Sequence, residues 1–315
     1  MGIKCITTYL SWSHRMNYKT ALITITTIAF LVLMAYTTYG VNAPEGVQLL
    51  QDNKQSHPYH ILIDKLVDDG FNRTDLIAIF NDSRVSFLEK VLTINLINKY
   101  SKADYSRFLR NQSVTHAKKF LQKESSFLTQ VEARYQVDKE VIVSILFIES
   151  AFGANTGNNT VFNVFFTLSQ AADPDILKTT YPKLKEKHPP LTFEELELRA
   201  EKKSRWAYQE LKHLLTIAQK ENLDVLNIKG SWAGAFGIAQ FLPSSYLRYA
   251  VDGNNDQKVR LYNRYDSIES VANYLKENGW KEGLTERKKR TVIRQYNNST
   301  PYIDTVLKLS QKISG

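Results

Sequence analysis

Apolar residues recur at helical spacing along most of the chain, and no run alternates apolar with polar for long enough to read as a strand. From His60, the positions Ile61, Ile63, Leu66 and Val67 fit one helix face, and Gly70 stands where a C-terminal cap belongs. Thr74 to Phe80 repeats the theme, and Asn81-Asp82-Ser83 makes a turn. Ser106 to Tyr135 carries one or two further amphipathic helices. Asp138 reads as an N-cap, and Val141 to Phe152 is apolar around nearly its whole circumference, so this helix is expected to be buried, with Gly153 ending it. Residues 171–192 are polar and broken by Pro174, Pro182 and Pro189-Pro190; they read as a surface loop. Thr192 and Glu195 have capping-box spacing at the start of a charged helix running towards Glu221.

The N-terminal segment has a different pattern. Thr20 to Pro44 holds no charged residue, while Lys4, Arg15 and Lys19 precede it and no acid appears before Glu45. That bias puts the N-terminal side in the cytoplasm and everything beyond residue 44 across the membrane, in the periplasm. Two readings stay open: a signal peptide cleaved after Val41-Asn42-Ala43, or a retained inner-membrane anchor of about 20 residues.

Composition narrows the partner. A net charge of +9 suits a polyanion: nucleic acid, an anionic membrane face or the carboxylate-rich peptides of a cell wall. With no zinc-finger spacing and no aromatic RNA-binding motif, no nucleic acid partner is expected. The single cysteine, Cys5, forms no intrachain disulfide or metal cluster.

The chemical candidates stand out against this background. Glu149 is a lone carboxyl near the C-terminal end of an apolar helix, where desolvation and the backbone dipole both raise its pKa. A carboxyl kept neutral is what a general acid for glycosidic cleavage needs. Taken alone, Glu149 reads better as a structural acid that pairs with a buried arginine or caps a loop; the blocks that follow turn the balance. A second block, Gly230-Ser231-Trp232-Ala233-Gly234-Ala235-Phe236-Gly237-Ile238-Ala239-Gln240-Phe241-Leu242-Pro243-Ser244-Ser245-Tyr246, is rich in small residues that permit close backbone approach and holds one amide, Gln240, in an apolar run. The third block, Gln295-Tyr296-Asn297-Asn298-Ser299-Thr300-Pro301-Tyr302, offers rings that could stack on sugars or bond a carboxyl group.

Glu149-Ser150, Gly237 to Gln240 and Tyr296-Asn297 together resemble the signature of lysozyme-like lytic transglycosylases. The full block from Gly230 to Tyr246, with Asn163 to Ser169, Ser270 to Tyr274 and Gly279-Trp280, is similar to the membrane-bound lytic murein transglycosylase B family, over residues 60–310. The resemblance implies an all-α fold: a lysozyme-like catalytic domain at 125–315 and a helical subdomain at 45–124, after an export segment at 1–44. It implies Glu149 as the catalytic acid and then base, and Ser231, Gln240, Tyr274, Tyr296, Asn297 and Tyr302 as lining a glycan cleft. Lys202 and Lys203 fall near a family arginine pair. The implied reaction cuts the β-1,4 bond between N-acetylmuramic acid and N-acetylglucosamine and leaves 1,6-anhydro ends; peptidoglycan strands are the partner, no cofactor is required, and a monomer is expected. A β-rich insert common in the family is absent here, since only fifteen residues separate Trp280 from Tyr296. A hydrolysing lysozyme and a non-catalytic wall-binding protein are the rival readings. The hydrolase would need a second carboxylate to activate water, and none is obvious near the motifs.

Asp252-Gly253-Asn254-Asn255-Asp256 matches the first half of an EF-hand loop, but Gln257 replaces the turn glycine and Asn263 occupies the twelfth position. The resemblance implies a longer loop closed by Asp266, with a backbone carbonyl from Lys258. A structural Ca²⁺ or Na⁺ and an empty polar loop both remain open.

Overall fold

A computed structural model describes residues 59–97 and 104–314. They fall into two compact units divided at 77/78. In the first, α1 (His60–Asp68) buries Ile63 and Leu66. Ile61, expected on the same face, is exposed. Gly70, at φ +99, closes α1: its N–H reaches the Val67 carbonyl and that of Phe71 the Leu66 carbonyl, the paired bonds of a glycine-capped helix end. Helix α2 (Arg73–Phe80) runs across the division, and the turn expected at Asn81-Asp82-Ser83 follows it.

The second unit is built around one helix. In chain order it has α3 (Glu89–Ile97), a 3-10 turn at Ser106–Leu109, α4 (Asn111–Lys123), α5 (Ser125–Tyr135) and α6 (Lys139–Ser150). Then come β1 (Asn159–Thr160), α7 (Val161–Ser169), α8 (Pro174–Lys187), α9 (Phe193–Lys220) and β2 (Lys229–Gly230). Last are α10 (Pro243–Tyr249), α11 (Arg264–Glu277), α12 (Glu286–Tyr296) and α13 (Thr300–Ile313). Helix α6 meets α4, α5, α11 and α13, which is why apolar residues surround it. Helix α9 lies along α7 and also meets α10. The all-α expectation holds. Among the described residues the strands amount to one antiparallel pair, Asn159 opposite Gly230 and Thr160 opposite Lys229.

Four details depart from the sequence reading. Residues 78–124 pack in the same compact unit as residues 125–314, so the boundary expected at 124/125 runs through that unit's interior. Residues 174–187 form α8 rather than a loop: Asp173 caps it through the N–H groups of Asp175 and Ile176, and Pro174 occupies the first turn, where a missing N–H costs nothing. Asp138 precedes α6 but its side chain makes no cap bond; it pairs with Lys289. Helix α6 stops at Ser150, before Gly153, because Ala151 and Phe152 both adopt left-handed φ. By contrast, the Thr192 hydroxyl accepts from the Glu195 N–H at 3.1 Å, as the capping spacing requires. No helix among the described residues is long and apolar enough to cross a membrane. The export segment, residues 1–44, lies outside the described residues.

Candidate active site

Glu149 is the penultimate residue of α6, and its neighbours along the helix are buried. Helix α13 packs along α6 and places Tyr302, only 1% exposed, beside it. The Tyr302 hydroxyl donates to Glu149 Oε1 at 2.7 Å. Burial pushes the Glu149 carboxyl up to about 7, and the bond from Tyr302 partly opposes that rise. Glu149 makes no ion pair among the described residues. The arginine partner that a structural acid would need is therefore missing.

Ser150 ties this helix end to the glycine-rich block. Its hydroxyl donates to the Ile238 carbonyl at 2.7 Å and accepts from the Gly153 N–H at 3.0 Å. The block owes its small residues to close approach. A Cβ on Gly234, at φ +84, would lie 2.2 Å from the Phe165 ring; one on Gly237, at φ +76, would lie 2.4 Å from Leu261. Gln240 also takes a left-handed φ of 50°. Its Nε2 donates to the carbonyls of Thr156 at 3.0 Å and Gly237 at 2.8 Å, which fixes the amide and leaves Oε1 without a donor among the described residues. Ser231 serves the loop itself: its hydroxyl accepts from the Ala235 N–H at 3.2 Å.

The tyrosines cluster around the same point, edge to face. Tyr296 donates to the Ala239 carbonyl, and Tyr274 donates to the Gln295 carbonyl at 2.7 Å. Their rings lie 4.8 Å apart. Burial, and then the Glu149 charge, raise the pKa of both Tyr296 and Tyr302, so both remain hydroxyl donors. Glu149, Tyr274, Tyr296 and Tyr302 are thus brought together by α6, α11, α12 and α13, with the Gly237–Gln240 turn tied in through the Ala239 carbonyl.

Tyr105 belongs with them and was missed by sequence reasoning. Its ring meets Tyr302 edge-on at 5.7 Å, and Asn297 and Ser299 bond its hydroxyl. Burial raises its pKa, and Glu149 adds to the rise. Nothing local marks it: Asp104-Tyr105 sits in a polar stretch with no periodic pattern. Lys203 lies 4.4 Å over the Trp206 ring, and burial and Lys202 lower its pKa.

The Asp252 loop is folded onto its own backbone. Asp252 accepts from the N–H groups of Asp256 and Gln257, Asn254 accepts from Asp256, and Asp256 accepts from Lys258 at 2.9 Å. Buried Asp266 accepts from Gly253 at 3.0 Å and Arg260 at 2.6 Å. Among the described residues, no group of three His, Cys, Asp or Glu side chains is arranged to hold a metal. Burial raises the Asp266 pKa, and the nearby charges of Asp252 and Asp256 raise it further.

A family model described as the transglycosylase SLT domain matches residues 58–289. Membrane-bound lytic murein transglycosylase B of Escherichia coli is 33% identical over 177 residues, covering 56% of this chain and 41% of that protein. The match thus spans less than half the length of that relative. Among solved structures, the soluble lytic transglycosylase SltB1 of Pseudomonas aeruginosa superposes with a TM-score of 0.64 at 23% identity, over 80% of this chain and 97% of that one. The Escherichia coli lytic transglycosylase Slt35, in complex with bulgecin A, gives a TM-score of 0.64 at 25% identity, over 82% and 93%. The same enzyme in complex with calcium gives the same values.

Proposed function

The chain belongs to the transglycosylase SLT domain family, and from that premise we propose that it cuts peptidoglycan glycan strands by a lytic route in which Glu149 is the only carboxyl group that acts. The observation that carries this reading is a carboxyl held up to about 7 by burial, with a tyrosine hydroxyl and no cation beside it. Such a group is substantially protonated near neutrality and can deliver its proton. Protonation of the glycosidic oxygen breaks the bond from C1 of N-acetylmuramic acid, with the N-acetyl carbonyl of that sugar sharing the developing charge. The resulting Glu149 carboxylate, stabilised by the Tyr302 hydroxyl, then takes the proton of the C6 hydroxyl as O6 closes on C1. No water is consumed and Glu149 ends protonated, as it began.

A hydrolase would need a second acid near Glu149. Desolvation raises the Glu149 pKa, the Tyr302 bond partly opposes it, and no second carboxylate is bonded to Glu149 among the described residues, which favours the lytic route. Gln240 Oε1 and the tyrosine rings serve as substrate contacts in this reading. Product mass decides it. Chains released from purified sacculi should each lack one water relative to hydrolytic products; hydrated ends would establish a lysozyme instead.

Two further assignments accompany the reaction. Residues beyond 44 act in the periplasm, as the charge bias before the apolar segment and the membrane-bound relative suggest; a reporter fused after residue 60 that worked in the cytoplasm would refute this. In the same reading the Asp252–Asp266 loop takes a structural cation, Ca²⁺ or Na⁺, since its oxygen donors suit a hard cation. Asp256→Ala should then lower the melting temperature only with Ca²⁺ present, whereas an equal shift in chelator would point to an empty loop.

A further inference from the structure

Positive charge is spread unevenly over this chain. Residues 281–315 hold eight lysines and arginines against three acids, a surplus of five within the net +9. Helix α12 carries most of it. Its buried side is Val292 and Ile293, with Tyr296 one turn on donating to the Ala239 carbonyl. At about 100° per residue, Arg287, Thr291 and Arg294 fall on the opposite side, with Lys288 and Gln295 next to them, and all five are exposed. No acid stands on that side, since the one acid of α12, Glu286, lies on the flank with Arg290.

The exposed side of α13 continues this surface. Arg290 bonds Asp304 of α13 at 2.6 Å. Lys308 and Lys312 follow Asp304 at spacings of four and eight, so they share its face, and both are exposed. Lys289 and Arg290 are taken up by Asp138 and Asp304. Arg287, Lys288, Lys308 and Lys312 make no ion pair among the described residues, and Arg294 bonds the neutral Asn298 amide at 3.2 Å. Five cations without an acid among them fit an extended polyanion. On this side α12 exposes no aromatic ring for a sugar to stack on. The chain's own sequence leads to a bilayer, through the uncharged Thr20–Pro44 segment. If that segment is retained, the fourteen residues 45–58 tether residue 59 within about 50 Å of the membrane.

We propose that this face of α12 and α13 lies on an anionic phospholipid surface, with Arg287, Lys288, Arg294, Lys308 and Lys312 against the headgroup phosphates. Tyr296, on the far side of α12, then points away from the lipid, so the docked chain keeps its glycan contacts clear of the bilayer. This inference goes beyond the lytic reading and stands without it. Each cation held at such a surface favours the docked state about five-fold, so five together dock a tethered chain firmly.

The test places the full chain in vesicles of phosphatidylcholine alone or of phosphatidylcholine and phosphatidylglycerol in equal parts. Exposed lysines are acetylated briefly with a water-soluble reagent and followed by mass spectrometry. Lys187 on α8, which packs on α3 and α9, is the reference. Acetylation of Lys288, Lys308 and Lys312 should slow by about ten-fold or more relative to Lys187, in the anionic vesicles only. High salt should restore it, because the charges are exposed and screened. Arg287→Glu with Arg294→Glu reverses two of the five charges and should restore labelling at low salt, with a melting curve to report that the chain is folded. Equal rates in the two vesicle types would overturn the proposal. So would slowing that reaches Lys187 equally, or slowing that outlasts both salt and charge reversal. Slowing by added sacculi and not by anionic vesicles would give this face to the wall instead, and would overturn the proposal as well.

Discussion

Glu149 and Glu269 are both acids on helices of the second unit, and burial pushes the pKa of each upward. Their surroundings separate them. Glu269, on α11, accepts from Arg134 at 2.6 Å and Tyr135 at 3.3 Å, and those two groups pull its pKa back down. Glu149, at the end of α6, has the Tyr302 hydroxyl and no cation. Burial alone therefore does not mark a working acid. A buried carboxyl with a cation partner holds helices together, whereas one without is left with a labile proton at neutral pH.

The strongest break of this comparison is Glu149→Gln. The amide keeps the shape and loses the proton, so release of glycan fragments from sacculi should fall by about 10²–10⁴-fold. Stability should move the other way. The folded Glu149 pKa of about 7 lies above its unfolded value of 4.5, so the native state holds the extra proton between them and unaltered protein loses stability as pH rises through that window. The variant lacks this loss. Its melting temperature should equal or exceed that of the unaltered chain at pH 8, by up to about 3 kcal/mol of stability. Glu149→Gln melting lower at pH 8 would make Glu149 a structural acid like Glu269.

Arg134→Met attacks the other member. It leaves Glu269 buried beside Tyr135 alone, which should cost about 1–3 kcal/mol and lower the melting temperature, with the rate on sacculi at low temperature unchanged. A rate loss as large as that of Glu149→Gln would erase the distinction between the two acids.

Tyr302→Phe should give the smallest effect. The hydroxyl holds the Glu149 pKa down, so its removal should shift the alkaline limb of the pH–rate profile upward by about one unit. An unmoved limb would mean that the observed bond does not act on the reacting carboxyl.

Much of this arrangement was legible in the chain because particular residues had particular physical reasons. Helix α6 is apolar on every side because four helices surround it, and a carboxyl within such a pattern is conspicuous. Gly234 and Gly237 are required by Phe165 and Leu261, so a block rich in glycine pointed to close approach before its partners were known. Other features were hidden. Pro174 and Pro182 in α8 were read as breakers, although one occupies the first turn, where no N–H is needed, and the other is tolerated inside the helix. The left-handed Ala151 and Phe152 carry no local signal, since neither is a residue that favours that conformation. Tyr105 and Glu269 were invisible for a related reason. Their roles depend on partners more than a hundred residues away, which periodicity does not register.

The central claim is that Glu149 carries a proton near neutrality because its carboxyl is desolvated, in a half-buried position, without a cation beside it. Observing its side-chain carboxyl carbon by NMR across pH, and assigning the signal by its disappearance in Glu149→Gln, tests this most directly. The account predicts a midpoint of about 7. A midpoint at the ordinary glutamate value of 4.5 would leave the group ionised at neutral pH and contradict its role as the acid.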